Sequence, residues 1–302
     1  MLRVLRITST QFPNYNVYCS TQANLIRNLH SSSKNDGLFH EFDRKSGYQK
    51  EDIRPGKEKV REGLKELKGE IKLWSDEWKD RFMMDPILGM PIPGEVDAQW
   101  SFDPKSDLSE WVVTSDHDNN EGHSSCSLTI SPTGKALFSG NLSTQLVKDG
   151  KVKRAGYCNM KSIPPAKSFK RETYYDWSSY THLVLRVRGD GRSYMLNIGS
   201  AGYFDVTWND MYNYMLFTRG GPHWQISRIP FSKFFLTSKG RIQDKQSPLP
   251  LTRVSNLGIT AADKNNGPFR LEIDYIGLEC DPSHTEVTAY ETYKVPAFYA
   301  GY

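Results

Sequence analysis

The feature that most constrains this chain is a change of hydrophobic period. From Lys57 to Phe82 apolar residues recur at Val60, Leu64, Leu67, Ile71, Trp74 and Trp78, spaced four, three, four, three and four apart. That spacing draws one apolar stripe along a helix. Beyond residue 95 the period falls to two. In Leu183-Val184-Leu185-Arg186-Val187-Arg188 the odd positions are apolar, and in Phe269-Arg270-Leu271-Glu272-Ile273-Asp274-Tyr275 they are apolar or aromatic between charged neighbours. A two-residue period gives half-buried antiparallel strands, one face on a core and one in water. Similar short runs occur at Cys126 to Ile130, Ala136 to Leu142, Tyr157 to Lys161, Tyr194 to Ile198, Tyr214 to Thr218, Trp224 to Ile229 and Asn256 to Ala261. Gly189-Asp190-Gly191, Gly220-Gly221-Pro222 and Asn265-Asn266-Gly267-Pro268 are turn signals between several of them. About nine strands with no helix between them predict an all-β fold, a β-sandwich of the jelly-roll kind with a charged amphipathic helix ahead of it.

The helix carries eight basic and seven acidic residues off its stripe, and Gly63 and Gly69 weaken it. The stripe either packs on the chain's own main domain or docks onto a partner. Asp85 to Gly94 holds Pro86, Pro91 and Pro93, which stop a helix, so a linker ends near residue 95.

Charge is unevenly placed. Lys and Arg number 39 against 35 Asp and Glu, and the first acid is Asp36, preceded by Arg3, Arg6, Arg27 and Lys34. Removing those four bases leaves a neutral chain, which argues against nucleic acid or an anionic membrane as the main partner. An acid-free, Arg-bearing, Ser-containing start is the pattern of a mitochondrial transit peptide. The expected organisation is therefore residues 1–34 transit peptide, 35–95 charged helical segment and Pro-rich linker, 96–288 sandwich, and 289–302 tail. No stretch reaches the roughly 18 consecutive apolar residues of a membrane span. Cys126, Cys158 and Cys280 form neither a CxxC pair nor an even disulfide framework, and read as reduced structural thiols.

Catalytic signatures are missing: no GxxxxGK[ST], no GxGxxG opening a helix, no HExxH and no GxSxG. The expectation is no enzyme and no cofactor. Ser115 to Glu121 gathers oxygen ligands, so Asp116, Asp118 and Glu121 are weak candidates for a hard cation. The alternative is a turn whose short side chains bond their own backbone. Between Gly202 and Trp224 seven aromatics fall in 23 residues. Tyr203, Phe204, Trp208 and Tyr212 lie among Gly, Asp and Asn, as exposed loop residues do. Together with Arg219 they form the candidate partner-binding loop, because aromatic and Arg side chains dominate binding hot spots. The alternative is that the loop completes the core.

Eight stretches in order carry a family resemblance: Trp111 with Ser115-Asp116, Gly156-Tyr157-Cys158, Tyr175 to Ser178, Leu185 to Arg192, Phe217 to Pro222, Ile229 to Phe235, Glu272 to Gly277 and Asp281 to Glu286. From about Trp100 to Glu291 the chain resembles the complex I intermediate-associated protein 30 family, assembly factors for mitochondrial NADH:ubiquinone oxidoreductase. The resemblance implies a galactose-binding-like sandwich, matrix residence and peripheral inner-membrane association through protein partners. The implied partners are complex I assembly intermediates and other assembly factors: an acyl-CoA dehydrogenase-like protein, a signalling adaptor and a membrane-embedded factor. It also implies a chaperone absent from the mature complex. One departure is that Glu121-Gly122 stands where the family usually has a double glycine after Ser-Asp. A carbohydrate- or small-ligand-binding sandwich module is the rival expectation, since one fold hosts many functions.

Overall fold

In a computed structural model of the chain, residues 56–83, 91–147, 152, 155–201 and 210–290 are described, and all belong to one unit, Arg54–Tyr302. The expected transit peptide, most of the proline linker, and Tyr203, Phe204 and Trp208 lie outside the described residues.

Helix α1 spans Gly56–Met83. Fifteen strands follow: β1 Val96–Ser101, β2 Trp111–Ser115, β3 Ser125–Ile130, β4 Ala136–Leu142, β5 Cys158–Ser162, β6 Ala166–Lys167, β7 Arg171–Glu172, β8 His182–Arg188, β9 Ser193–Ser200, β10 Asp210–Phe217, β11 Gln225–Pro230, β12 Phe235–Ser238, β13 Arg241–Ile242, β14 Val254–Ala261 and β15 Gly267–Glu279. One sheet has the order β11-β8-β15-β4-β3 with β1 also paired to β15; the other runs β13-β12-β10-β9-β14-β5-β2. Every pairing is antiparallel.

The two sheets share one core. Leu183, Leu185 and Val187 of β8 and Leu271 and Ile273 of β15 meet Tyr194, Leu196 and Ile198 of β9 and Leu257 and Ile259 of β14, all fully buried. Each such side chain contributes about 1.5–3 kcal/mol by leaving water. Among the described residues the expected sandwich, with a helix ahead of it, is thus the observed architecture. A chain of aromatic contacts extends the core: Phe102 meets Trp111, Trp111 meets Trp100, and Trp100 touches both Tyr175 and Trp177, with Trp177 stacked on Phe231. Three of the eight family stretches therefore supply core rings.

Two expectations are corrected. The period of two in β15 does not persist to Tyr275, because a bulge between Ile273 and Tyr275 inserts a residue and shifts the inward set to Ile276 and Leu278. The stripe of α1 does not pack on the sandwich: Val60, Leu64, Leu67, Ile71, Trp74, Trp78 and Phe82 are all between 41% and 79% exposed. The helix touches the β6–β7 turn through its acids instead. Glu77 accepts from the Ser168 backbone N–H at 2.6 Å and from Arg171 at 2.5 Å, and Glu70 accepts from the Phe169 N–H at 2.6 Å. Phe169 has φ 61°, a left-handed conformation costly for an aromatic residue, and the two carboxylates bind the consecutive N–H groups of that turn.

Candidate partner-binding surface

The acidic loop after β2 is a closed structural node. The fully buried Asp116 takes the Ser124 N–H at 2.7 Å, the Ser124 hydroxyl at 3.0 Å and the Gly156 N–H at 2.7 Å. Asp118 accepts from the backbone N–H and hydroxyl of Ser115, and Glu121 accepts from the Tyr157 hydroxyl at 2.7 Å. Desolvation, followed by the bond to Glu121, pushes the Tyr157 phenol above its ordinary range. All three carboxylates are engaged with protein donors. Gly122 sits so close that a Cβ there would lie 2.1 Å from Asp116 Oδ2, so the single glycine after Glu121 is a packing requirement of this node. Two family stretches, Ser115-Asp116 and Gly156-Tyr157-Cys158, meet here.

The candidate aromatic loop divides. Tyr212, read from sequence as an exposed loop residue, is 4% exposed on the inward face of β10. Its hydroxyl is 2.9 Å from Ser247 Oγ and donates to the Pro248 carbonyl at 3.1 Å. It is a core residue because β10 begins at Asp210, four residues ahead of the run expected from Tyr214. Arg219 is exposed beyond the end of that strand, its N–H bound by Gln225 Oε1 at 3.0 Å.

A different surface emerges on the outer face of the six-stranded sheet. Glu272, Asp274 and Glu279 of β15 are 1%, 7% and 4% exposed, and each lies under arginine. Glu272 pairs with Arg188 and Arg270, Asp274 with Arg186 and with Lys135 at 2.7 Å, and Glu279 receives both Nε and Nη2 of Arg228. A buried acid without such partners would protonate or unfold the site. Burial alone would raise the Glu272 carboxyl, but the hydrogen bonds from Arg188 and Arg270 outweigh it and hold it below the ordinary glutamate range. Trp224 packs its ring against the guanidinium carbons of Arg186 and Arg188, at 5.3 and 5.0 Å. Beside it Ile226 is 60% exposed on β11, directly paired with Arg186. Arg188, Arg270 and Glu272 also line a depression of about 340 Å³ with Gly221 and Pro222.

Buried acids fix the arginine forks, and the forks and the tryptophan face outward. Three family stretches contribute to this face: Leu185 to Arg192, Phe217 to Pro222 and Glu272 to Gly277. Sequence reasoning missed it because Arg186 and Arg188 read as ordinary solvent-facing positions of β8. The signal was the matching alternation of acids in β15.

The Ser232 hydroxyl is 3.2 Å from His284 Nε2, but its proton goes to Glu286 at 2.7 Å, so His284 is not placed as its base. Among the described residues no cluster of three or more His, Cys, Asp or Glu is arranged to hold a metal, and no helix is long and apolar enough to cross a membrane.

The sequence profile of the complex I intermediate-associated protein 30 family matches residues 100–273. A Drosophila melanogaster protein named "Complex I intermediate-associated protein 30, mitochondrial" is 51% identical over 263 residues, 86% of this chain and 88% of that protein. A Mus musculus protein of the same name is 48% identical over 65% of this chain and 60% of its own length. The probable Caenorhabditis elegans counterpart is 46% identical over 70% and 62%. The chain thus spans less than two thirds of the mouse and nematode proteins. Among solved structures, a family 11 carbohydrate-binding module from Clostridium thermocellum overlaps 63% of this chain and 99% of its own at 18% identity, with a TM-score of 0.43. On the profile match and the animal relatives, this chain belongs to the complex I intermediate-associated protein 30 family.

Proposed function

We propose that this chain is a mitochondrial assembly factor for respiratory complex I, which binds unfinished subcomplexes and leaves the mature enzyme. The observation that carries the reading is the arginine and tryptophan face built over Glu272, Asp274 and Glu279. Guanidinium forks and indoles supply the large, desolvated contacts that dominate protein interfaces. Holding the arginines on buried acids before the partner arrives lowers the ordering cost of binding. Masking a subunit surface needs such area rather than a nucleophile. The names of the animal relatives support mitochondrial residence and association with complex I intermediates. The finer reading is matrix residence, with the inner membrane reached through protein partners such as an acyl-CoA dehydrogenase-like protein, a signalling adaptor and a membrane-embedded factor.

The test is capture of assembly intermediates from mitochondria by the tagged chain, wild type against a Trp224→Ala, Ile226→Ala double variant. Loss of a hot-spot pair costs about 2 kcal/mol or more, roughly a thirtyfold drop in affinity, with little change in melting temperature because both side chains are at the surface. Full capture by the variant would remove this face from the account.

A further inference from the structure

Helix α1 carries more order than its apolar stripe. The residue that follows each stripe position is, in turn, Arg61, Lys65, Lys68, Lys72, Ser75 and Lys79. These residues form a second ridge beside the first, basic at five of six positions and free of acids. All five cations are exposed, and among the described side chains of the helix the ion pair is Lys79 with Asp76 at 3.1 Å. The residues preceding the stripe positions include Glu66, Glu70 and Glu77. Two of these acids hold the helix to the β6–β7 turn, as described above. The charges are therefore largely sorted around the axis, with Glu66, Glu70 and Glu77 on the sandwich side, then the apolar ridge, then a cationic ridge on the free side; Lys59 and Arg81, which precede Val60 and Phe82, are the exceptions.

We infer that α1 is a membrane-contact element that lays its apolar ridge into the surface of an anionic lipid bilayer, with Arg61, Lys65, Lys68 and Lys72 on the lipid headgroups. Interfacial helices combine a Trp, Phe and Leu face with Lys and Arg along its border. Trp74, Trp78 and Phe82 form a contiguous aromatic run, Trp74 edge-on to Trp78 at 6.0 Å and Trp78 stacked on Phe82 at 5.8 Å. Tryptophan settles at the headgroup level because its ring is apolar and its N–H finds polar partners there. From Val60 to Phe82 the ridge runs roughly 33 Å at 1.5 Å per residue. A bilayer meets that whole length without register, whereas a protein groove must match it with an acidic wall of the same length. Anchoring through Glu70 and Glu77 turns like charge away from an anionic surface. Direct lipid contact goes beyond attachment through protein partners and does not depend on it.

The experiment is co-sedimentation of the purified full chain with phosphatidylcholine vesicles and with mixed phosphatidylcholine–phosphatidylglycerol vesicles. Wild type is expected to partition at least about tenfold more strongly onto the anionic vesicles, an advantage lost at high salt, since each basic side chain near such a surface is worth roughly fivefold. Lys65→Glu, Lys68→Glu, Lys72→Glu together should erase the anionic preference. Trp74→Ser with Trp78→Ser should lower binding to both vesicle types. Unchanged helical circular dichroism and an unchanged melting temperature of the sandwich show that each variant is folded; otherwise Trp78→Ser alone is used. Equal binding to both vesicles by wild type, or an anionic preference that survives the charge reversals, overturns the inference. So does absence of vesicle binding with loss of partner capture in the tryptophan variants, which would assign the ridge to a protein groove.

Discussion

Replacing Asp116 with Asn changes one atom and should unfold much of the margin that holds the sandwich together. The carboxylate is fully buried and receives three donors, the N–H of Ser124, the N–H of Gly156 and the Ser124 hydroxyl. An asparagine has one acceptor oxygen and one NH₂. Whichever way it turns, its NH₂ meets a backbone N–H at about the 2.7 Å of the bond it replaces. One buried N–H then loses its partner, at about 1–3 kcal/mol, and a charge-assisted bond worth roughly 1.5–3 kcal/mol disappears. Losing the charge also relieves some desolvation, so the net expectation is about 2–4 kcal/mol. Gly122 leaves no room for the ring of contacts to relax, since even a methyl there would collide with Oδ2. Urea unfolding at neutral pH reads the difference as a lower midpoint at constant slope. A change below about 1 kcal/mol would refute the hydrogen-bond reasoning. If instead wild type gained stability from added Ca²⁺ and Asp116→Asn lost that gain, the loop would be a cation site after all.

Two further outcomes follow from the same geometry. Arg188 and Arg270 hold the Glu272 carboxyl below its ordinary range, so its stabilisation is full above the pKa of an unfolded glutamate and lost as pH falls through the depressed folded pKa; Glu272→Gln should be less stable at neutral pH and show a flatter acid limb in urea midpoints, and an identical limb would contradict this. Tyr212→Phe removes the hydroxyl bonds to Ser247 and Pro248 and should cost about 1 kcal/mol of stability while leaving partner capture intact, whereas lost capture at full stability would return Tyr212 to an interface.

The strands that sequence revealed were those with both a period of two and a core-facing set long enough to show it. β4 matches its expected bounds, and β8 and β15 were visible from their charged alternation. β12 and β13 were not visible, being strands of four and two residues at one end of the seven-stranded sheet, too short to show a period. β1 was hidden because a register shift between Ala98 and Trp100 breaks its alternation. The bulge after Ile273 likewise hides in a run of Asp274, Tyr275 and Ile276 whose composition does not mark it. Periodicity located the stripe of α1 but could not say what covers it, since that depends on Glu70 and Glu77 reaching a turn about a hundred residues away. Aromatic density between Gly202 and Trp224 pointed to an interface, yet Tyr212 fell on an inward position, and Trp224 acquired its role only when Arg186 and Arg188 came beneath it. Long-range pairing of acids with arginines has no local period, so the alternation of acids in β15 was the trace it left in the sequence, and which arginines cover them shows only in three dimensions.

The central claim is that the protein raises the yield of complex I by binding its intermediates. Native-gel quantitation of complex I, with turnover per assembled complex, in mitochondria with and without this chain tests it most directly. The account predicts less assembled complex at normal turnover, with the chain migrating among the intermediates and absent from the mature band. Unchanged yield, or the chain at equal stoichiometry in the mature enzyme, would contradict it.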